Sequence, residues 1–154
     1  MENQETWINE SLQQLNEKAA GLIEPHLKNY GVDFIKNAIQ IMPQKINQEL
    51  DWEEFKLATH KLINELPTSD KADKEGQKIY QKSLAAYKEL LMKKYNMVPK
   101  GYYLTVWMPL GIGIGLPFGL MFKNIALGIP IGIGIGLAIG SGLDSKAKKE
   151  DRQL

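Results

Sequence analysis

Residues 104–122 and 125–143 are two uncharged apolar runs of nineteen residues each, parted only by Lys123 and Asn124. As α-helix each run is about 28 Å long, against roughly 30 Å for the hydrocarbon core of a bilayer. Each holds nine residues from Leu, Ile, Val and Phe, which together favour insertion by about 3 to 5 kcal/mol before the glycines are counted. The runs therefore predict two transmembrane helices. A two-residue connection leaves them one arrangement, an antiparallel hairpin.

The glycines within the runs are regularly placed. Gly111, Gly115 and Gly119 recur every four residues in the first, and Gly128, Gly132, Gly136 and Gly140 do so in the second. Spacing of four puts each series on one helix face. Lipid is as apolar as leucine, so helices associate in it through close packing and weak Cα–H···O contacts, which a glycine face permits. These seven glycines are the predicted helix-packing residues. Gly113 and Gly134 fall well around the wheel and are expected to offer a second face, on which one hairpin packs against another to give a homo-oligomer. The same segments also read with period two, as in Gly111-Ile112-Gly113-Ile114 and Gly132-Ile133-Gly134-Ile135. That is the period of a strand, and it would require a many-subunit β pore, because two strands cannot close a barrel. Pro109, Pro117 and Pro130 weigh against central strands; Pro117 is expected to kink the first helix.

The flanks predict the orientation. Lys93, Lys94 and Lys100 precede the first run, Lys146, Lys148, Lys149 and Arg152 follow the second, and the loop has only Lys123. The positive-inside rule then keeps both termini in the cytoplasm of a cell whose inner membrane the hairpin crosses. Tyr102, Tyr103 and Trp107, with Lys93, Lys94 and Lys100, form the expected anchor at the membrane interface. The N-terminus, Met1-Glu2-Asn3-Gln4-Glu5, has no basic region leading into an apolar core, so no signal peptide is expected.

The order Trp107-Met108-Pro109, a four-residue glycine series, Asn124-Ile125, and a second series ending Ile139-Gly140-Ser141-Gly142-Leu143-Asp144 resembles the short bacterial glycine-zipper two-helix membrane proteins. The resemblance covers about residues 101–149. It implies a bacterial membrane hairpin and carries over no active site.

Residues 1–98 are of a different composition. Up to Met97 they hold 13 lysines and 15 acidic residues, a balance that argues against a nucleic-acid module, which would need a concentrated basic face. The chain has no cysteine, which removes disulfides and thiolate metal sites and suits a reducing cytosol. Apolar spacing of three and four predicts helices over about 5–24, ended by Pro25, and 26–42, stopped before Pro43. A short helix over 43–50 follows. Asp51 and Glu54 then form a capping box for the next helix, Pro67 to Asp70 break the chain, and a final helix covers about 71–96. The expected inward residues include Trp7, Ile8, Leu12, Leu15, Leu22 and Ile23 in the first helix and Ile79, Tyr80, Leu84, Tyr87, Leu90 and Leu91 in the last. The predicted fold is all-α: a cytosolic bundle of about four amphipathic helices over 1–98, a hinge and aromatic anchor over 99–103, transmembrane helices over 104–122 and 125–143, and a charged cytoplasmic tail over 144–154. The last bundle helix is basic near its membrane end, as an anionic lipid surface would favour.

Catalytic and metal constellations are missing from the sequence. The only histidines, His26 and His60, belong to no His-Glu-x-x-His series, and there is no phosphate loop or nucleophile elbow. The chain is expected to be no enzyme and to need no cofactor or metal. Two functions remain. In the first, the hairpin anchors a small cytosolic interaction domain, whose partners are the lipid bilayer, other copies of the chain and an unidentified cytosolic protein. The alternative is an oligomeric pore-forming or membrane-perturbing protein: a channel, a holin-like protein or a defence effector. The lack of ionisable groups in the runs opposes a charge-lined ion path, while a dewetting gate needs none.

Overall fold

The computed structural model describes residues 4–68 and 74–154. Among them the regular elements are all helical, and the Gly-Ile alternations lie inside helices, which overturns the strand reading. The reason is the backbone: a helix satisfies its own N–H and C=O groups, whereas two isolated strands expose open edges. Two compact units divide the chain, the first formed by Met1–Tyr95 with Leu154 and the second by Asn96–Gln153.

The first unit contains α1 (Gln4–Ala19), α2 (Glu24–Asn29), α3 (Val32–Ile41), a 3-10 turn (Met42–Gln44), α4 (Glu49–Glu65) and α5 (Lys74–Tyr95). Several boundaries depart from the sequence expectation. α1 stops at Ala19, and Gly21 follows where a Cβ would come 2.8 Å from the Thr68 carbonyl oxygen. Pro25 starts α2 instead of ending α1, because its missing N–H costs nothing in a first turn. The single helix expected over 26–42 is cut in two by Gly31 at φ +64°, a left-handed position that glycine adopts freely. α4 begins at Glu49 with Gln48 before it and no side-chain cap, so Asp51 sits within the first turn and the capping box is not formed. The helix expected over 43–50 reduces to the 3-10 turn. Residues 69–73, which carry part of the expected cap and start of the last soluble helix, lie outside the described residues.

The core is aromatic. Trp7 meets Trp52 edge-on at 4.9 Å and lies 5.6 Å from Phe55, geometries favoured by the ring quadrupoles. Its indole N–H donates to His60 Nε2 at 3.0 Å. α5 buries Tyr80, Leu84, Tyr87 and Leu91; Ile79, expected inward, is 51% exposed. In α1, Ser11 takes a buried place and Ile23 beyond the helix is exposed. The Tyr80 hydroxyl donates to the Tyr30 carbonyl at 2.6 Å, and the Tyr87 hydroxyl shares a hydrogen bond with Thr59 Oγ1 at 2.9 Å. Burial pushes both tyrosines well above the ordinary phenol range, so they remain neutral hydrogen-bonding groups.

The second unit is built on α6 (Tyr102–Met121) and α7 (Ile125–Lys149). Both are long and apolar enough to cross a membrane. α6 begins inside the segment expected as a hinge, and α7 runs six residues past the expected end at Leu143. Pro109 and Pro117 lie within α6 and Pro130 within α7, without ending either helix.

Candidate functional site

α6 and α7 turn back on one another through residues 122–124. The amides of Lys123 and Asn124 return to the carbonyls of Leu120 and Gly119 at 2.9 Å each, and Lys123 takes φ 52°. Asn124 then starts α7 by accepting the Ala126 N–H on its side-chain oxygen at 3.1 Å, as its preference for the cap position would suggest.

Between the helices the packing is backbone against backbone. A Cβ on Gly132 would lie 2.5 Å from the Gly111 oxygen, one on Gly136 2.5 Å from the Trp107 oxygen, and one on Gly140 2.8 Å from the Leu104 Cα. Gly115 faces Gly128 and Gly132, and Gly119 faces Gly128 and Ile125. All seven glycines of the two four-residue series are brought together in this seam. They are also the only buried residues of α6, and with Ala147 the only ones of α7. The large apolar side chains point the other way: Leu110, Phe118 and Leu127 are 52%, 42% and 50% exposed. A helix in water buries its leucines and isoleucines. This pair buries its glycines and displays them.

Gly113 and Gly134 meet nothing within 4 Å and lie on outward faces. The outward row on α7 is longer than Gly134 alone, since Ala126, Pro130, Ala138 and Gly142 share its spacing and are also exposed.

The open end of the pair is held by a residue that the sequence reading placed in the tail. The Asp144 carboxylate accepts the N–H groups of Tyr103 and Leu104 at 3.2 and 3.1 Å. These are orphan donors of the first turn of α6, whose preceding residue, Gly101, has no side chain to cap them. Asp144 continues the series Gly132, Gly136, Gly140 by one more step of four, which is why it faces α6. A carboxylate there also complements the positive end of the α6 dipole.

The residues expected at a membrane interface are placed unevenly. Tyr102 and Tyr103 are half-buried with ring centroids 5.3 Å apart, and Trp107 is half-buried one turn on. Lys100 is exposed. Lys93 pairs with Glu89 at 2.5 Å. Lys94 is bound to Asp51 at 2.7 Å and to Glu54, and these two carboxylates hold its ammonium above the usual lysine range. Lys94 thus serves the fold of the first unit, a role that its place in the charge count before the apolar run did not reveal. Among the described residues no group of three His, Asp or Glu side chains is placed to hold a metal ion. Comparison with protein-family models, curated proteins and solved structures returned no match.

Proposed function

We propose that the chain is a non-enzymatic integral membrane protein in which α6 and α7 form a glycine-zipper transmembrane hairpin. The hairpin anchors a small cytosolic helical interaction domain at the inner membrane, with both termini in the cytoplasm. The observation that carries this reading is the inverted burial of the pair, in which seven glycines are buried, no Leu, Ile or Phe of either helix is, and many of these large side chains are exposed. Such a surface needs an apolar solvent: in water each large side chain left uncovered forgoes about 1.5 to 3 kcal/mol. Asp144 fits the same picture, since a charged group closes the pair at the end where the basic residues Lys146, Lys148 and Lys149 follow. The resemblance to bacterial glycine-zipper two-helix proteins belongs to this proposal, as does self-association through the outward small-residue rows around Gly113 and Gly134. The lipid bilayer, further copies of the chain and a cytosolic protein are its partners.

The anchoring and pore-forming readings part in a reconstituted system. The full chain in liposomes should resist extraction by alkaline carbonate and leave a trapped dye in place at every protein-to-lipid ratio. Carbonate extraction would contradict membrane insertion. Dye release that grows with protein density would replace the anchor by the pore-forming alternative.

A further inference from the structure

Beyond Lys149 the chain folds back. The Glu150 and Asp151 amides bond the carbonyls of Lys146 and Lys148 at 3.0 and 3.2 Å, and Asp151 takes φ 50°. That left-handed residue reverses the chain, so that Arg152 N–H returns to the Ala147 carbonyl at 2.9 Å. The Arg152 carbonyl then accepts the Val98 N–H at 2.8 Å, and Gln153 lies opposite Val98 in a single parallel β-bridge. On the far side of the bridge Asn96 is also left-handed, at φ 55°. Its carbonyl and side-chain oxygens lie 3.5 and 3.4 Å from the Arg152 guanidinium, which Glu150 holds from behind at 2.6 and 2.8 Å. Tyr103 also hydrogen-bonds Arg152, and together Tyr103 and Glu150 keep the guanidinium protonated beyond its ordinary range.

Residues 96–101 are the covalent link from the first unit into α6, and their ordering draws on partners more than fifty residues further along the chain. We propose that residues 150–153 are a clasp that fixes this linker in one conformation, so that the state of the tail decides whether the linker is ordered or free. The polar ties from the clasp to the linker are few: one backbone hydrogen bond and guanidinium contacts at the long end of the hydrogen-bond range, with a non-glycine residue in left-handed backbone on each side. Closing the clasp leaves Met97 and Val98 buried. A modification, cleavage or binding event at residues 150–154 would release the linker without disturbing the glycine seam. This device is independent of whether the pair anchors or perforates a bilayer.

Amide hydrogen exchange of the full chain in lipid nanodiscs tests it. The Val98 amide should be protected in the wild type. Asp151→Val, which puts a β-branched residue where φ is positive, should speed Val98 exchange and trypsin cleavage after Lys100 at least tenfold, and Asp151→Gly should leave both near wild type. A chain ending at Glu150 should behave like Asp151→Val, with Gly132 exchange unchanged, and it decides the matter should the valine variant disturb α7. An unprotected Val98 in the wild type, or protection that survives loss of residues 151–154, would overturn the proposal.

Discussion

Replacing Gly136 by leucine should part α6 from α7, while the same change at Gly134, two residues away, should leave the pair closed. At Gly136 even a methyl group would lie 2.5 Å from the Trp107 oxygen and 2.8 Å from the Met108 Cα. Those neighbours are backbone, so no rotamer change relieves the overlap. Overpacking in a well-packed site costs about 1 to 3 kcal/mol, and contact with an unyielding helix backbone puts Gly136 at or above the top of that range. Gly134 has open space around it, so leucine there adds only an outward apolar side chain. With spin labels at Thr105 and Ser141, both exposed, the wild type and Gly134→Leu should give one narrow distance distribution in nanodiscs. Gly136→Leu should give a broad, longer one. If the outward rows join hairpins, Gly134→Leu should also lower the oligomer size seen by crosslinking.

The two units should behave as different materials when cut apart. Residues 1–95 carry their own aromatic core around Trp7, Phe55, Tyr80 and Tyr87, and should fold alone as a soluble helical domain. Truncation does remove Leu154, which groups with this unit and is 4% exposed. Losing one buried leucine costs about 1.5 to 3 kcal/mol, set against a typical domain stability of about 5 to 15 kcal/mol. Circular dichroism should therefore show helical signal and one cooperative thermal transition at a lowered midpoint. A gradual transition would contradict an independent core. Residues 96–154 should behave oppositely, aggregating in buffer and folding as helices only in detergent or lipid.

How far the sequence spoke depended on the length of each signal. Two nineteen-residue uncharged runs admit few structures, and glycine at every fourth position named the faces that meet. The register was not legible, because it depends on how residues 122–124 complete the turn, and a residue of difference there would move every glycine off its partner. Asp144 was legible in principle as the next member of a four-residue series, but a charged residue after an apolar run reads first as tail. In the first unit the errors came from single residues. Gly21 and Gly31 ended helices that apolar spacing alone would have continued, since a periodic pattern does not register a close approach to Thr68 or a positive φ. Asp51 read as a cap because Glu54 follows it, and its actual partner is Lys94, distant in sequence. Long-range ion pairs of this kind leave no local spacing to read.

On the proposed function, α6 and α7 should cross the bilayer as a pair with both ends on the cytoplasmic side. The chain has no cysteine, so single cysteines can report on it directly. Phe122→Cys lies in the turn and Ser145→Cys near the end of α7, both exposed. In intact cells a membrane-impermeant thiol reagent should label Phe122→Cys and spare Ser145→Cys, which should react only after the membrane is opened. Labelling of Ser145→Cys in intact cells, or protection of Phe122→Cys there, would contradict this topology.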